Sequence, residues 1–212
     1  MGVPIVPALC QRLNTYEEIV KNMGIVAIEP KYDGTRVQIH YKKLKTEKTQ
    51  NDVLIKSFTR NLEESSAMFP ELKKISEYTN ADELILDCEA VGYDPKSGRI
   101  LNFQETITRK RKHGVEAAAV SVPLRFFVFD VLFCNSENLL SKSYFERREV
   151  LKKVILKNET LVVDEYVKTE DPVELEEIHT RFLEDGYEGA VMKMWSGEYL
   201  PGRQGWNWVK IK

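Results

Sequence analysis

The sequence has no apolar run that approaches the length of a bilayer-spanning helix, and no signal-peptide pattern at its N-terminus. Neither a membrane-embedded nor a secreted protein is expected. Cysteine is scarce: Cys10, Cys88 and Cys134 are odd in number and widely scattered. They offer neither zinc-ligand spacing nor a disulfide framework, which points to a reducing compartment, cytoplasmic or nuclear. Internal repeats and low-complexity tracts are absent. So is an excess of positive charge, with 31 Lys and Arg against 33 Asp and Glu for a net charge of −2.

That balance argues against strong non-specific nucleic-acid binding, which rests on phosphate neutralisation by a basic surface. The charge is nevertheless segregated. Arg109-Lys110-Arg111-Lys112-His113 is a basic cluster, whereas the stretch from Asp164 to Glu188 is mostly acidic. A basic working face can therefore hide within a neutral total, with nucleic acid held weakly by these residues alone. At 212 residues, 42% hydrophobic and 30% charged, the chain suits one sizeable soluble domain or two small ones.

Along the chain, Gly2 to Pro7 reads as an extended linker and Thr15 to Asn22 as a helix. The apolar run Ile25 to Ile28 and the alternating run Arg36 to Tyr41 read as strands joined through Asp33-Gly34. That pairing predicts a β-hairpin with Lys31 at its mouth. A strand over Val53 to Phe58 follows a polar loop from Lys42 to Asp52. Leu62 to Tyr78 reads as helix, with Pro70 as a break or a new first turn. Leu84 to Val91 is a strand, Asp94 to Gly98 a turn, Phe103 to Ala119 largely helix, and Arg125 to Phe133 an aromatic strand.

Ser143 and Glu146 fit a capping box for a helix ending near Lys153. Thr160 to Val167 reads as a strand. Asp171-Pro172 combines an N-cap with proline at the first helical position, and Gly186 is a natural stop. Gly189 to Met194 and Asn207 to Lys212 complete the strands. Helices interleaved with strands in apparent hairpins predict an α+β fold with antiparallel sheets.

Several polar residues stand out on these elements. Asp87 and Glu89 lie two apart on one strand and so share a face, opposite Leu86 and Cys88. Paired carboxylates suit a ribose hydroxyl or a hydrated metal, although a solvated strand face would look the same. Lys210 and Lys212 likewise share a face, suited to a polyphosphate or to blunting an exposed edge. Glu188 and Lys193 have opposite strand parity, so they can share a site only if Glu188 sits at an irregular strand start. Gly186 and Gly189 allow one.

The stretch Lys31-Tyr32-Asp33-Gly34-Thr35-Arg36 resembles the KxDGxR signature of covalent nucleotidyltransferases: DNA ligases, RNA ligases and mRNA-capping enzymes. The resemblance implies that Lys31 attacks the α-phosphate of a nucleoside triphosphate, releasing pyrophosphate. The amine must be neutral when it attacks, and desolvation and nearby cations favour that form.

Five further stretches resemble family motifs in the required order, and each implies a role. Arg60, in Ser57 to Asn61, contacts the nucleotide. Glu89, in Leu86 to Glu89, bonds the ribose and can serve the metal. Phe129, in Arg125 to Asp130, stacks on the purine. Glu188, in Glu188 to Lys193, supports a divalent metal. Arg36, Lys193 and, in the fifth stretch, Trp208 to Lys212, Lys210 and Lys212 supply positive charge to the triphosphate beside Mg²⁺.

Glu29 has the parity of Lys31 and resembles the carboxylate with which ATP-dependent DNA ligases accept from the adenine 6-amino group. Pro7 to Leu13, Phe103 to Lys112 and Gly202 to Trp206 are similar to the replicative ligases of archaea and eukaryotes. The resemblance therefore implies an ATP- and Mg²⁺-using adenylation domain over residues 1–212. Its fold would be the nucleotidyltransferase one, with antiparallel sheets, flanking helices and a central nucleotide cleft. Partners would be ATP and, weakly, nicked duplex DNA. The N-terminal DNA-binding and C-terminal OB-fold domains usual in that subgroup have no counterpart in these residues. The fragment is expected to be monomeric and slow to seal nicks. An RNA ligase or capping-type enzyme remains an alternative, as does a nucleotide-binding module without turnover.

Overall fold

The computed structural model describes residues 1–44, 52–107 and 122–211. The Arg109 to His113 cluster, the rest of the helix expected to Ala119, most of the expected 42–52 loop and Lys212 lie outside the described residues. In chain order the first elements are β1 (Gln11–Arg12), α1 (Tyr16–Met23), β2 (Val26–Pro30), β3 (Thr35–Lys43) and β4 (Val53–Thr59). Two 3₁₀ segments follow, Ser66–Met68 and Pro70–Glu77, then β5 (Glu83–Gly92), α2 (Phe103–Ile107), β6 (Leu124–Cys134) and β7 (Glu137–Asn138). The remainder is α3 (Tyr144–Val154), β8 (Leu161–Val163), β9 (Val167–Thr169), α4 (Pro172–Glu184), β10 (Ala190–Met194) and β11 (Trp208–Ile211). The result is α+β with two mainly antiparallel sheets, as expected. Among the described residues no helix is long and apolar enough to cross a membrane.

The chain divides into two compact units. The first comprises Met1–Pro4, Gly34–Asn138 and Glu149–Val163; the second comprises Ile5–Asp33, Leu139–Arg148 and Asp164–Lys212.

The first unit is built on a sheet of order β4-β3-β5-β6-β7, with β8 added parallel to β6. Val37, Ile39 and Tyr41 on β3 are fully buried, but so is His40, while Gln38 is 5% exposed. The alternation on β3 therefore separates two buried faces rather than core from water. Its polar side is satisfied internally, His40 Nε2 lying 2.9 Å from Gln38 Oε1 and the His40 ring edge-on to Phe58. Two irregularities in the β5–β6 register, after Ile85 and after Asp87, twist the strand that carries Asp87 and Glu89.

The second unit is a sheet of order β1-β11-β10-β2-β9, with only the β1–β11 pair parallel. Its core forms where Ile19 and Met23 of α1 and Leu175 and Ile178 of α4 meet Val26, Ile28, Ala190, Met192 and Val209. Both helices start as their sequences dictate. Thr15 Oγ1 accepts from Glu18 N–H, and Asp171 Oδ1 accepts from Val173 N–H at 2.9 Å, ahead of Pro172. Past the end of α4, Gly186 takes a φ of +88°, where a side chain would be strained. In α3 the capping box is reciprocal: Ser143 N–H donates to Glu146 Oε2 at 2.8 Å, and Glu146 N–H to Ser143 Oγ at 3.3 Å.

Three expectations need correction. No β-hairpin joins β2 and β3: β2 pairs with β10 and β9, whereas β3 pairs with β4 and β5. Gly34 serves another purpose. A Cβ there would stand 2.6 Å from the Ala90 carbonyl oxygen, so the glycine admits the close approach of β5. The expected helix from Leu62 is two 3₁₀ segments instead, because the chain first folds back on β4. Ser65 N–H donates to Ser57 O at 2.8 Å and Thr59 N–H to Glu63 O at 2.9 Å. Pro70 opens the second segment, as a first-turn proline should. Finally, the strand expected over Thr160 to Val167 is β8 and β9, which belong to different sheets and are divided at Asp164.

Candidate active site

Lys31 directly follows β2, and main-chain bonds continue the ladder past it. Lys31 N–H donates to Gly189 O at 2.9 Å, and Glu188 N–H to Lys31 O at 3.0 Å. Those bonds set Lys31 and Glu188 side by side, and Lys31 Nζ donates to Glu188 Oε2. Glu188 reaches this position because it precedes β10 across Gly189, whose φ of +140° makes the strand start irregular, as the parity argument required. The Lys31 side chain keeps 22% of its surface exposed and Glu188 31%, so the amine is fixed but reachable.

Two residues upstream, Glu29 is only 2% exposed and Lys193 1%. Register explains their meeting. Glu29 lies opposite Val191 and Lys193 opposite Ala27, which makes Glu29 and Lys193 diagonal neighbours on one sheet face. Lys193 Nζ sits 2.5 Å from Glu29 Oε2 and within 4.5 Å and 5.1 Å of the Trp208 and Tyr144 ring centres. Tyr144 OH donates to Glu29 Oε1, and Arg148 Nη1 lies 3.9 Å from the same oxygen. Neither residue has the open setting that its place on the strand suggests: Lys193 is ion-paired below the surface, and the Glu29 carboxylate is engaged by buried donors. Charge pairing below the surface, which strand parity alone does not reveal, is the reason.

Lys210 shares the face of Glu29, since Lys210 is opposite Val191 and Val191 opposite Glu29. It is half-buried and, among the described residues, forms no ion pair. Lys212 lies outside the described residues.

The other expected site residues belong to the first unit. Arg36 makes a two-pronged contact with Asp87, Nη2–Oδ2 at 2.6 Å and Nε–Oδ1 at 3.0 Å, and its guanidinium lies 5.4 Å from the Phe129 ring centre. Asp87 is 1% exposed. It is thus the buried anchor of Arg36 rather than the partner of Glu89 on a solvated face. Glu89 stands directly across from Arg36 in the ladder and is half-buried. Arg60 is exposed at the end of β4. Phe129 is half-buried between the fully buried Val128 and Asp130.

Sequence reasoning missed Tyr144, Arg148 and Asp164, all buried in the second unit. Tyr32 OH donates to Asp164 Oδ1 at 3.1 Å, and Arg148 Nη2 donates to the Asp164 carbonyl. Burial foremost, then the Glu29 charge, holds the Asp164 carboxyl well above the usual carboxylate range, while Lys193 and Arg148 oppose the shift. Two adjacent arginines in an amphipathic helix read as surface residues. Only their full burial marks them.

No cluster of three or more His, Cys, Asp or Glu side chains able to hold a metal exists among the described residues. Glu188 of the second unit and Glu89 of the first each present a partly exposed carboxylate. Either is the kind of donor Mg²⁺ takes, since that ion is commonly held by one or two carboxylates together with waters and substrate phosphates.

Two mainly antiparallel sheets with flanking helices, and a lysine beside a carboxylate at a strand end, are the features of the nucleotidyltransferase fold of DNA ligases. Solved structures agree. A mycobacterial DNA ligase D complexed with ATP and MES superposes with a TM-score of 0.70 at 22% identity, over 97% of this chain and 59% of that one. The Chlorella virus DNA ligase-adenylate gives a TM-score of 0.58 at 18% identity, over 98% of this chain and 68% of that one. The ATP dependent DNA ligase domain profile matches residues 7–212, and this chain belongs to that family. Curated relatives include a probable DNA ligase of Dictyoglomus turgidum, 38% identical over 213 residues, and a DNA ligase of Staphylothermus marinus, 38% identical over 216. The whole chain is covered in both, but only 35% of each relative, so it spans about a third of their length.

Proposed function

We propose that this chain is the charging domain of an ATP-dependent DNA ligase, and that Lys31 becomes covalently adenylylated. The reading is carried by Lys31 itself: a partly exposed amine, tethered by main-chain bonds and in contact with Glu188, in a chain of the DNA ligase family. In the proposed step the Lys31 ammonium first gives a proton to water, with Glu188 orienting the amine as its direct partner. Nζ then forms a bond to the α-phosphorus of ATP while the bond to the bridging oxygen breaks. Pyrophosphate leaves with that electron pair, and the nitrogen gives its second proton to water, so the product is a lysyl phosphoramidate.

Catalysis of such a transfer is chiefly positioning and charge neutralisation. Arg36, held by Asp87, and Arg60, Lys210 and Lys212 supply cations to the nucleotide; Phe129 offers an aromatic face to the base and Glu89 an acceptor to the ribose. Mg²⁺, held by Glu188 and Glu89 with the phosphates, would neutralise charge on the phosphate oxygens. Transfer of the adenylate to the 5′-phosphate of a nick, and sealing, are assigned to the longer protein, with DNA-binding and OB-fold domains acting beside residues 1–212. No feature favours an RNA ligase or capping enzyme, since the curated relatives named above are DNA ligases.

The test is incubation with α-labelled ATP, GTP or NAD and Mg²⁺. Acid-labile label is expected from ATP alone and is expected to vanish in Lys31→Ala. Label from GTP alone, or retained by Lys31→Ala, would overturn the assignment.

A further inference from the structure

Five points mark where the chain passes between its two units: Pro4/Ile5, Asp33/Gly34, Asn138/Leu139, Arg148/Glu149 and Val163/Asp164. Three of them end, on the side of the second unit, in one hydrogen-bonded node. Tyr32, one residue before the Asp33/Gly34 crossing, donates its hydroxyl to Asp164 Oδ1 at 3.1 Å. Asp164, the first residue after its crossing, accepts Glu165 N–H on the same oxygen at 2.9 Å and offers its carbonyl to Arg148 Nη2. Arg148 is the last residue before the Arg148/Glu149 crossing, and its guanidinium lies 4.9 Å from the Tyr166 ring centre. Asp164 is 3% exposed and Arg148 2%, while Tyr32 is half-buried, so the Asp164 and Arg148 side of the node is shielded from water, where such bonds are strongest.

The node touches the nucleophile's own segment. Lys31 is held on one side through its main chain to Glu188 and Gly189, and immediately afterwards through the Tyr32 side chain. The Tyr32 ring also packs edge-on against Tyr187, with ring centres 5.3 Å apart. Two consecutive residues, Lys31 and Tyr32, thus face two others, Tyr187 and Glu188. Beyond Asp33 the chain leaves the second unit.

We infer that Asp164 is a positioning residue: by holding the Tyr32 hydroxyl it fixes the segment from which Lys31 attacks. This rests on Lys31 being the nucleophile. Neither Asp164 nor Arg148 belongs to any of the motifs that identify the nucleotide site. Asp164 reaches Lys31 through Tyr32, so its effect falls on the geometry of attack rather than on the cations that would hold ATP. An ångström-scale displacement of an attacking atom can lower a rate by roughly a hundredfold.

The test is single-turnover adenylylation with α-labelled ATP, recording the rate at saturation and the half-saturating ATP concentration. Asp164→Ala and Tyr32→Phe are each expected to slow the saturated rate by roughly tenfold or more while half-saturation moves less than about twofold. Asp164→Asn keeps an oxygen that can accept from Tyr32 and is expected to restore most of the rate. Tyr32→Phe with Asp164→Ala is expected to slow the rate by less than the product of the two separate effects, since the changes share the Tyr32–Asp164 bond. Thermal melts show which variants fold, and Tyr32→Phe keeps the test open if Asp164→Ala does not. Labelled wild type with unaltered rates in these variants, or with Asp164→Asn as slow as Asp164→Ala, would overturn the inference alone. A wild-type chain that takes no label would overturn both it and the proposed function.

Discussion

Replacing Lys193 with methionine removes a charge from the interior and keeps nearly the same volume. In the intact protein Lys193 and Glu29 expose 1% and 3% of their side chains and meet at 2.5 Å, so solvent screens the pair little. Breaking one side of a buried ion pair costs about 3–5 kcal/mol, because the surviving charge stays buried without its counter-ion. Glu29 would not be wholly abandoned, since Tyr144 still donates to Oε1 and Arg148 remains 3.9 Å from it. The lower end applies, about 3 kcal/mol. For a chain of this size that lowers the melting temperature by about 6–12 °C. Urea titration followed by tryptophan fluorescence, with calorimetry beside it, reads both quantities. Lys193→Met together with Glu29→Gln should lose less than the sum of the single changes, by about 1 kcal/mol or more. Lys193→Met within about 1 kcal/mol of wild type, or strict additivity, would refute the reasoning. Loss of ATP affinity at full stability would show instead that Lys193 faces the phosphates.

Gly34→Ala should destabilise by about 1–3 kcal/mol, because the added methyl meets backbone, 2.6 Å from Ala90 O, which cannot swing away. Urea unfolding measures it. Asp87→Ala frees a guanidinium now held by two short bonds and should both weaken the fold and slow adenylylation, read as melting temperature and single-turnover rate. Burial, with the N-terminal amine and Lys56 adding to it, pushes the His40 imidazole from 6.5 down to about 4. Between those pH values the unfolded chain binds the proton and the folded chain does not. Stability from this group is therefore complete above about pH 6.5 and is lost as pH falls to about 4. Denaturant titrations across that window should give a shallower pH slope for His40→Gln than for wild type.

Local chemistry was legible in the sequence wherever one residue answers a neighbour a few positions away. The reciprocal bonds of Ser143 and Glu146, the Asp171-Pro172 helix start and the left-handed Gly186 all depend on such short-range pairs. Glu188 before an irregular β10 was also readable, from parity and two glycines. What failed involved distant partners. Asp33-Gly34 carries the chemistry of a hairpin turn, yet Gly34 answers a carbonyl at residue 90, more than fifty positions away. The two faces of β3 look like core and solvent until Gln38 and His40 are found satisfying each other inside. Asp87 and Glu89 do alternate as expected, but Arg36 reaches Asp87 and turns it from a ligand candidate into a support. Lys193 kept its expected place on β10, and the charge pairing with Glu29 across strands gave it a different environment. Arg148 and Asp164 carry no motif spacing, and only burial distinguishes them.

The most direct test of the central claim is mass spectrometry of the intact chain and its peptides after incubation with ATP and Mg²⁺. The account predicts a gain of one adenylate, located on the peptide that contains Lys31 and absent from Lys31→Ala. An unmodified chain, or an adenylate located on any other residue, would contradict it.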